Sequence, residues 1–291
     1  MLDRFNEAME HIESRLDGTL DVVELARIVR TSEYHLRRMF SALAGIPLSE
    51  YVRRRRLTVA GAEVLGGERT LLEVAVRYGY GSGEAFARAF RAHHGVGPGT
   101  ARRTGAALRS QPRMSFRLVV EGSSTMQYRV VEMPAFHVVG VQTRVPLVYE
   151  GVNPAIAEFI RSLDPELVSR VEELSDTEPS GLLSVVDKLG DGREEGTELD
   201  YYHAVVRLAD DAPADLDTLD VPAGTWAVFE NSGPFPETLQ TVWRDVFTQW
   251  FPSNPYESRP GPEMLWTAAG PGEDGTHAET GLWIPVTPTV T

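Results

Sequence analysis

The chain has 291 residues, 42% apolar and 24% charged, no cysteine and a formal net charge of −14. That length holds two ordinary domains and the composition is globular, while the lack of cysteine excludes disulfides and thiolate metal sites. No apolar run approaches the ~20 residues of a membrane span, and the amphipathic, acidic start "MLDRFNEAMEHIESRL" is unlike a secretory signal, so a cytoplasmic protein without membrane partners is expected. An acidic chain argues against nucleic acid, but the charge is unevenly placed. Residues 1–110 carry 17 Arg, no Lys and 13 Asp or Glu, for a net +4, and the remainder carries −18. A basic module joined to an acidic one is the natural reading.

In chain order, "DVVELARIV" (21–29) predicts a short helix, with Asp21 as its N-cap and Val22, Leu25, Ala26 and Val29 on one face. After a break at Arg30-Thr31, Ser32 caps a second helix, "EYHLRRMFSALA", with an apolar stripe of Leu36, Met39, Phe40 and Leu43. Pro47 and Ser49 then open a longer helix reaching about Leu65, which carries Arg53, Arg54, Arg55 and Arg56 in succession. Four consecutive cations cannot all face a core; some lie along phosphates, or they form a solvated face. "LLEVAVRY" (71–78) predicts another short helix, followed by a turn at Gly79-Tyr80-Gly81 and a helix capped from Ser82.

The chain repeats itself here. "LRRMFSALAGIPLS" (36–49) and "FARAFRAHHGVGPG" (86–99) match at Arg38 and Arg88, Phe40 and Phe90, and Gly45 and Gly95. Each copy follows a short helix with a small residue, Ala26 or Ala75, over which the next helix can cross closely. Two such pairs are two helix-turn-helix units. Away from the apolar stripes lie Tyr34, Arg37 and Arg38, with His35 beside them, and then Glu84, Arg88 and Arg91. Arginine can bond guanine bidentately, glutamate can accept from cytosine, and tyrosine can hold phosphate. A plain helical bundle remains the alternative.

Residues 109–125 read as a linker, with a short strand at 115–120. Beyond it the period changes. "MQYRVVEMPAFHVVGVQTRV" is β-rich, "NPAIAEFIRSLDPELVSRVEEL" is helical from Asn153, and "GLLSVVDKL" and "LDYYHAVVRLA" are strands. "TLDVPAGTWAVFENSGPF" is a strand running into a turn, "PETLQTVWRDVFTQWF" an amphipathic helix from Pro236, and strands at about 263–268 and 281–286 follow. This succession predicts an α+β domain with a mostly antiparallel sheet over 126–291, behind an all-α domain over 1–108.

Residues 5–103 resemble the DNA-binding domain of the AraC/XylS family, through "LARIVRTSEYHLRRMFSALAGIPLSEYVRRRRL" and "LLEVAVRYGYGSGEAFARAFRAHHGVGPGTAR". The resemblance implies seven helices and a bipartite DNA site read by one monomer. It places Tyr34, Arg37, Arg38, Glu84 and Arg88 at base-contacting positions; from the arginine run, Arg53 and Arg55 are the further DNA contacts expected. Arg30 stands where the family usually has a turn glycine, and Gly83 and Ala85 leave the second recognition helix poor in base-reading groups. Residues 126–287 resemble the GyrI-like ligand-binding domain, through "VPAGTWAVFENSGPF", "WRDVFTQWFPSNPYESRPGPEML" and "GLWIPV". That implies two β-α-β-β repeats around a cleft for apolar or cationic molecules. Glu263 takes the family's acidic position and Trp283 its aromatic one, with Tyr201 and Trp226 as further lining. Leu265 replaces an expected aromatic, with Trp266 adjacent. Trp243 and Trp250, seven apart on one helix, read as core.

The expected function is a transcription regulator that binds promoter DNA, engages RNA polymerase and senses a small molecule. One monomer suffices for DNA binding, and neither a cofactor nor a metal is implied. HExxH, Walker A and GxSxG are absent, and the adjacent His93-His94 do not make a metal site. Two alternatives stay open: a hydrolase of reactive compounds with Glu263 as general base, and a drug-sequestering resistance protein.

Overall fold

The computed structural model describes residues 2–117, 126–148, 152–187, 197–235, 237–269 and 277–289. The chain divides into two compact units, Met1–Val120 and Glu121–Thr291.

The first unit is helical: α1 (Leu2–Ser14), α2 (Val22–Val29), α3 (Glu33–Ala44), α4 (Leu48–Gly66), α5 (Leu71–Arg77), α6 (Gly83–His94) and α7 (Pro98–Thr104). Asp21, Ser32 and Ser82 cap α2, α3 and α6 by accepting from backbone N–H groups of the first turn. These satisfy donors the helix itself leaves orphaned. Thr70 and Glu73 form a reciprocal capping box on α5. The two copies of the repeat end their first helices identically. Thr31 N–H donates to Ala26 O at 2.9 Å and Tyr80 N–H to Ala75 O at 2.9 Å, each across a left-handed residue, Arg30 (φ 58) or Gly79 (φ 84). The extra residue of the second copy therefore falls after this shared turn. Around the second pair, Phe86 and Phe90 pack with Val74, Ala75, Leu57 and Ala60, all fully buried.

The predicted linker is not free over its first half. Asn6 bonds the backbone of Phe116 through both amide atoms, Tyr51 Oη accepts from Met114 N, and the Phe116 ring packs edge-on to Phe5 and Phe40. Of the strand expected at 115–120, residues 115–117 hold no regular structure and 118–120 lie outside the described residues.

The second unit contains β1 (Arg129–Met133), β2 (Phe136–Pro146), α8 (Pro154–Ser162), α9 (Pro165–Glu172), β3 (Leu183–Asp187), β4 (Glu198–Arg207), β5 (Asp217–Val221), β6 (Gly224–Pro234), α10 (Glu237–Asp245), β7 (Tyr256–Ser258), β8 (Glu263–Ala269) and β9 (His277–Pro288). The single helix expected from Asn153 is broken, because Pro165 cannot continue α8 and instead opens α9 under an Asp164 cap. The strand expected over 218–235 is two strands, parted at Pro222-Ala223. The helix that starts at α10 passes into a π-helical turn, Val246–Trp250.

All described strands pair antiparallel in the order β1-β6-β9-β8-β3-β4-β2-β5, with β7 on β9. Two connections dictate the shape of this sheet. β1 and β2 sit near opposite ends of the order yet are joined by Pro134-Ala135 alone, and β5 and β6 by Pro222-Ala223 alone. Two residues span only about 7–10 Å, so the sheet curls until its ends meet. Phe136 of β2 and Trp226 of β6 touch across that closure, with ring centroids 5.4 Å apart. The inner face is the main core: Trp226, Trp283, Tyr202, Val138, Val185 and Met264. The outer face carries the helices, and α8 covers Val145, Leu199 and Tyr201.

Candidate DNA-reading surface and effector site

α3 and α6 each start at a serine cap, so side chains of their first turns stand at exposed amino ends. On α6, Glu84, Arg88 and Arg91 are exposed, while Phe86 and Phe90 are fully buried. On α3, Tyr34 and Arg37 are half-buried at the surface.

Two expected DNA contacts are placed elsewhere. Arg38 is only 2% exposed. Its guanidinium lies under the Tyr34 ring, 5.6 Å from the centroid, and Nη1 donates to Tyr34 Oη at 3.3 Å. An arginine four residues on is the neighbour one turn along a helix, so it braces Tyr34 rather than offering itself to a base edge. Beside it His35 is held neutral: burial, then the charge of Arg38, pull its pKa down to about 3. Arg55 points inward from α4 to pair with Glu13 of α1 at 2.7 Å, both side chains 8% exposed. Tyr51 Oη donates to the same carboxylate at 3.0 Å and Arg113 approaches it at 3.1 Å. Arg55 is thus a buried structural cation. A helix turns about 100° per residue, so four consecutive arginines must point four ways. Arg53 is the one that stays exposed, bonded to Glu50 at 2.7 and 2.8 Å.

In the second unit the strand register separates the four expected ligand residues. Val186 of β3 lies opposite Tyr201 on β4 and opposite Glu263 on β8, so these three form one cross-strand row on the helix-bearing face. Trp283 pairs with Met264 and with Val228, which puts it and Trp226 on the inner face. One cleft lined by all four does not exist here. Leu265 shares the Glu263 face, and Trp266, the next residue, points to the opposite one, so it does not replace the missing aromatic.

Both inner tryptophans already carry cations. Arg259 sits 4.5 Å from the Trp226 ring centroid and Arg129 5.1 Å from that of Trp283. Arg129 is also paired with Glu178 and Glu230. The sequence could not announce these contacts, because register brings together residues 33 to 154 positions apart.

On the outer face Glu263 is 6% exposed at the centre of the sheet. Tyr201 is fully buried; its hydroxyl shares a hydrogen bond of 2.9 Å with Ser184 Oγ, and Phe159 of α8 meets its ring edge-on at 6.0 Å. Burial raises the Tyr201 phenol pKa against the opposing effect of that bond, so it stays protonated and can donate. Trp250 is buried as expected, stacked on Tyr256; Trp243 is half-buried and stacked on Phe247. A separate recess of about 770 Å³ lies at the ends of β6, β8 and β9 beside α10, lined among others by Phe229, Trp266, Glu230, Asp245 and Glu279. It does not include Glu263. Among the described residues, no cluster of His, Asp or Glu is arranged to hold a metal and no helix is long and apolar enough to cross a membrane.

Comparison with known proteins decides the class. The model of the GyrI-like small molecule binding domain matches residues 126–287, more than half of the chain. The chain belongs to the GyrI-like family. In it, the GyrI-like domain is joined to an AraC-type helix-turn-helix domain, matched over residues 25–104. The transcriptional activator AarP of Providencia stuartii is 32% identical over 93 residues, 32% of this chain and 69% of its own. The regulatory protein SoxS of Salmonella typhimurium is 35% identical over 83 residues, 28% of this chain and 78% of SoxS. The probable transcription factor PqrA of Proteus vulgaris is 30% identical over 102 residues, 34% of this chain and 84% of PqrA. Among solved structures, SAV2435 bound to tetraphenylphosphonium covers 56% of this chain and 94% of its own, at 19% identity and a TM-score of 0.43. The C-terminal domain of EcmrR covers 57% and 99%, at 16% identity and a TM-score of 0.39. This GyrI-like chain is a DNA-binding transcription regulator whose small-molecule-binding domain follows the helix-turn-helix domain in sequence.

Proposed function

We propose that one copy of the chain reads duplex DNA through both α3 and α6, and that a hydrophobic or cationic molecule bound near Glu263 alters promoter occupancy. Tyr34, Arg37, Glu84 and Arg88 are the base-edge candidates, and Arg53 lies along the phosphates. Arg38 acts through Tyr34. The observation that carries this reading is the duplicated helix pair, whose two recognition helices both keep an apolar stripe inward, while Glu33, Tyr34 and Arg37 on α3 and Glu84, Arg88 and Arg91 on α6 reach the surface. Glu263 supplies the counter-charge for a cation and Tyr201, in the same row, a donor. RNA polymerase is the further partner, and the cytoplasm, where promoter DNA is met, the working compartment.

The test is footprinting of the chain's own promoter region at fixed salt, with and without lipophilic aryl cations. Protection of two major-groove segments about one helical turn apart is expected, lost in R88A and shifted by the cation. Protection unchanged in both R88A and R37A would overturn the reading. Consumption of a reactive electrophilic ligand by the protein, abolished in E263Q, would instead favour a hydrolase.

A further inference from the structure

Between the two reading heads lies a hollow of about 520 Å³, most of whose lining is not among the base-edge candidates. Part of its wall is apolar, from Leu20, Val22, Leu48 and Val52, and its polar side chains come from the α1–α2 loop (Thr19), from α3 (Arg37), from α4 (Ser49, Arg53, Arg56) and from the turn before α6 (Tyr80). Three of these side chains are guanidinium groups, and no carboxylate lines the hollow. Glu50 stands close by, bonded to Arg53 and Arg54. Among the described residues Arg56 has no carboxylate partner. It is held by two carbonyl oxygens instead: Nε donates to Leu16 O at 3.0 Å and Nη2 to Gly18 O at 2.6 Å. Its Nη1 lies 3.3 Å from where a Cβ on Gly79 would stand, and Gly79 itself turns at φ 84, a conformation that favours glycine, so the turn passes close beside the guanidinium. The charge is therefore fixed in place before any ligand arrives, at little further entropic cost. Arg37, at the rim, has no ion pair among the described residues either. The Tyr80 hydroxyl lies within the fields of Arg53 and Arg56, with that of Glu50 opposing.

We propose that this hollow is a phosphate site, and that its ligand is a backbone phosphodiester of the DNA strand that crosses from one recognition helix to the other. The assignment rests on the DNA-reading function argued above. A planar guanidinium pair and a tyrosine hydroxyl match phosphate oxygens, and a duplex engaged by both α3 and α6 must pass over the ground between them.

The experiment uses the full chain and a duplex it selects from a random-sequence pool. Binding is measured from 50 to 200 mM salt for wild type, R56Q and Y80F, on native duplex and on duplexes carrying one neutral methylphosphonate at each backbone position between the half-sites. Losing one phosphate contact lowers the log–log salt slope by about 0.9, so the affinity lost over that fourfold range should shrink about threefold in R56Q. One central methylphosphonate should weaken wild type yet leave R56Q unchanged. Because Arg56 also braces two loop carbonyls, Y80F gives a second reading should R56Q unfold: weaker binding on native duplex, with no further loss on the same methylphosphonate. Unchanged slopes and no sensitive central phosphate, with DNA still bound, would overturn the assignment. Tight binding of inorganic pyrophosphate that R56Q abolishes, without any central methylphosphonate effect, would assign the hollow to a free phosphate ligand and overturn the backbone source. Failure of wild type to select any duplex would strike the DNA-reading function itself.

Discussion

At the scale of single residues, Arg30, Glu13 and Arg55 do work that their polarity disguises. Arg30 holds a left-handed turn (φ 58), a conformation that costs an L-residue about 1–2 kcal/mol and that the equivalent Gly79 adopts freely. Arg30→Gly should therefore raise stability by up to about 1 kcal/mol, after glycine's extra unfolded-state entropy is subtracted; urea melts followed by helical circular dichroism would show it. The Glu13–Arg55 pair makes the opposite point. Burial pushes the Glu13 carboxyl up, but hydrogen bonds from Arg55 and Tyr51 and the charges of Arg55 and Arg113 outweigh it and leave its pKa below the ordinary 4.5. A depressed carboxylate stabilises the fold fully above 4.5 and stops doing so as pH falls through its lower folded value. Removing one partner strands the other, so E13Q and R55M should each cost about 3–5 kcal/mol, and the double variant E13M/R55M less than their sum. The wild-type excess stability over E13Q should fade as melts are taken at pH 4 and then pH 3.

At the scale of elements, helices were far more legible than the sheet. The caps Asp21, Ser32 and Ser82, the small residues Ala26 and Ala75 and the apolar stripes are local signals within one or two turns, and each sits where its spacing placed it. The inward turn of Arg55 was hidden because four identical arginines carry no periodicity of their own. The face on which each expected ligand residue lies was hidden for a deeper reason. Alternation says that Glu263 and Met264 face oppositely, but not which strand, paired in which register, puts Tyr201 with one and Trp283 with the other. Register here is pinned partly at Gly140 of β2. A Cβ there would stand 2.3 Å from His203 O and 2.5 Å from the Ala204 Cα of β4, inside contact distance of backbone that cannot move aside. G140A should cost about 1–3 kcal/mol or more through overpacking, and amide exchange across β2 and β4 should accelerate while α1–α7 keep their protection.

For the whole molecule, the question is how a ligand at one site changes events at another. A ligand moves an equilibrium only by its differential affinity for two states, and the coupling is reciprocal. If an aryl cation tightens promoter binding by some factor, the promoter must tighten cation binding by that same factor. Glu263 is the residue that separates binding from coupling. E263Q removes the buried counter-charge while keeping its shape, and should weaken cation binding about 30-fold or more, the lower end of what breaking a buried charge pair costs. At saturating cation the same coupling factor should return, because the reading heads are untouched. Trp283 and Trp226 make the contrast. Both rings are buried and their faces are already taken by Arg129 and Arg259, so W283L should lower the melting temperature with no selective loss of cation over neutral ligands. Paired titrations of cation with and without promoter, by calorimetry and fluorescence anisotropy, read both quantities. A cation affinity that W283L destroys and E263Q leaves intact would move the effector to the inner face and refute the outer-face site.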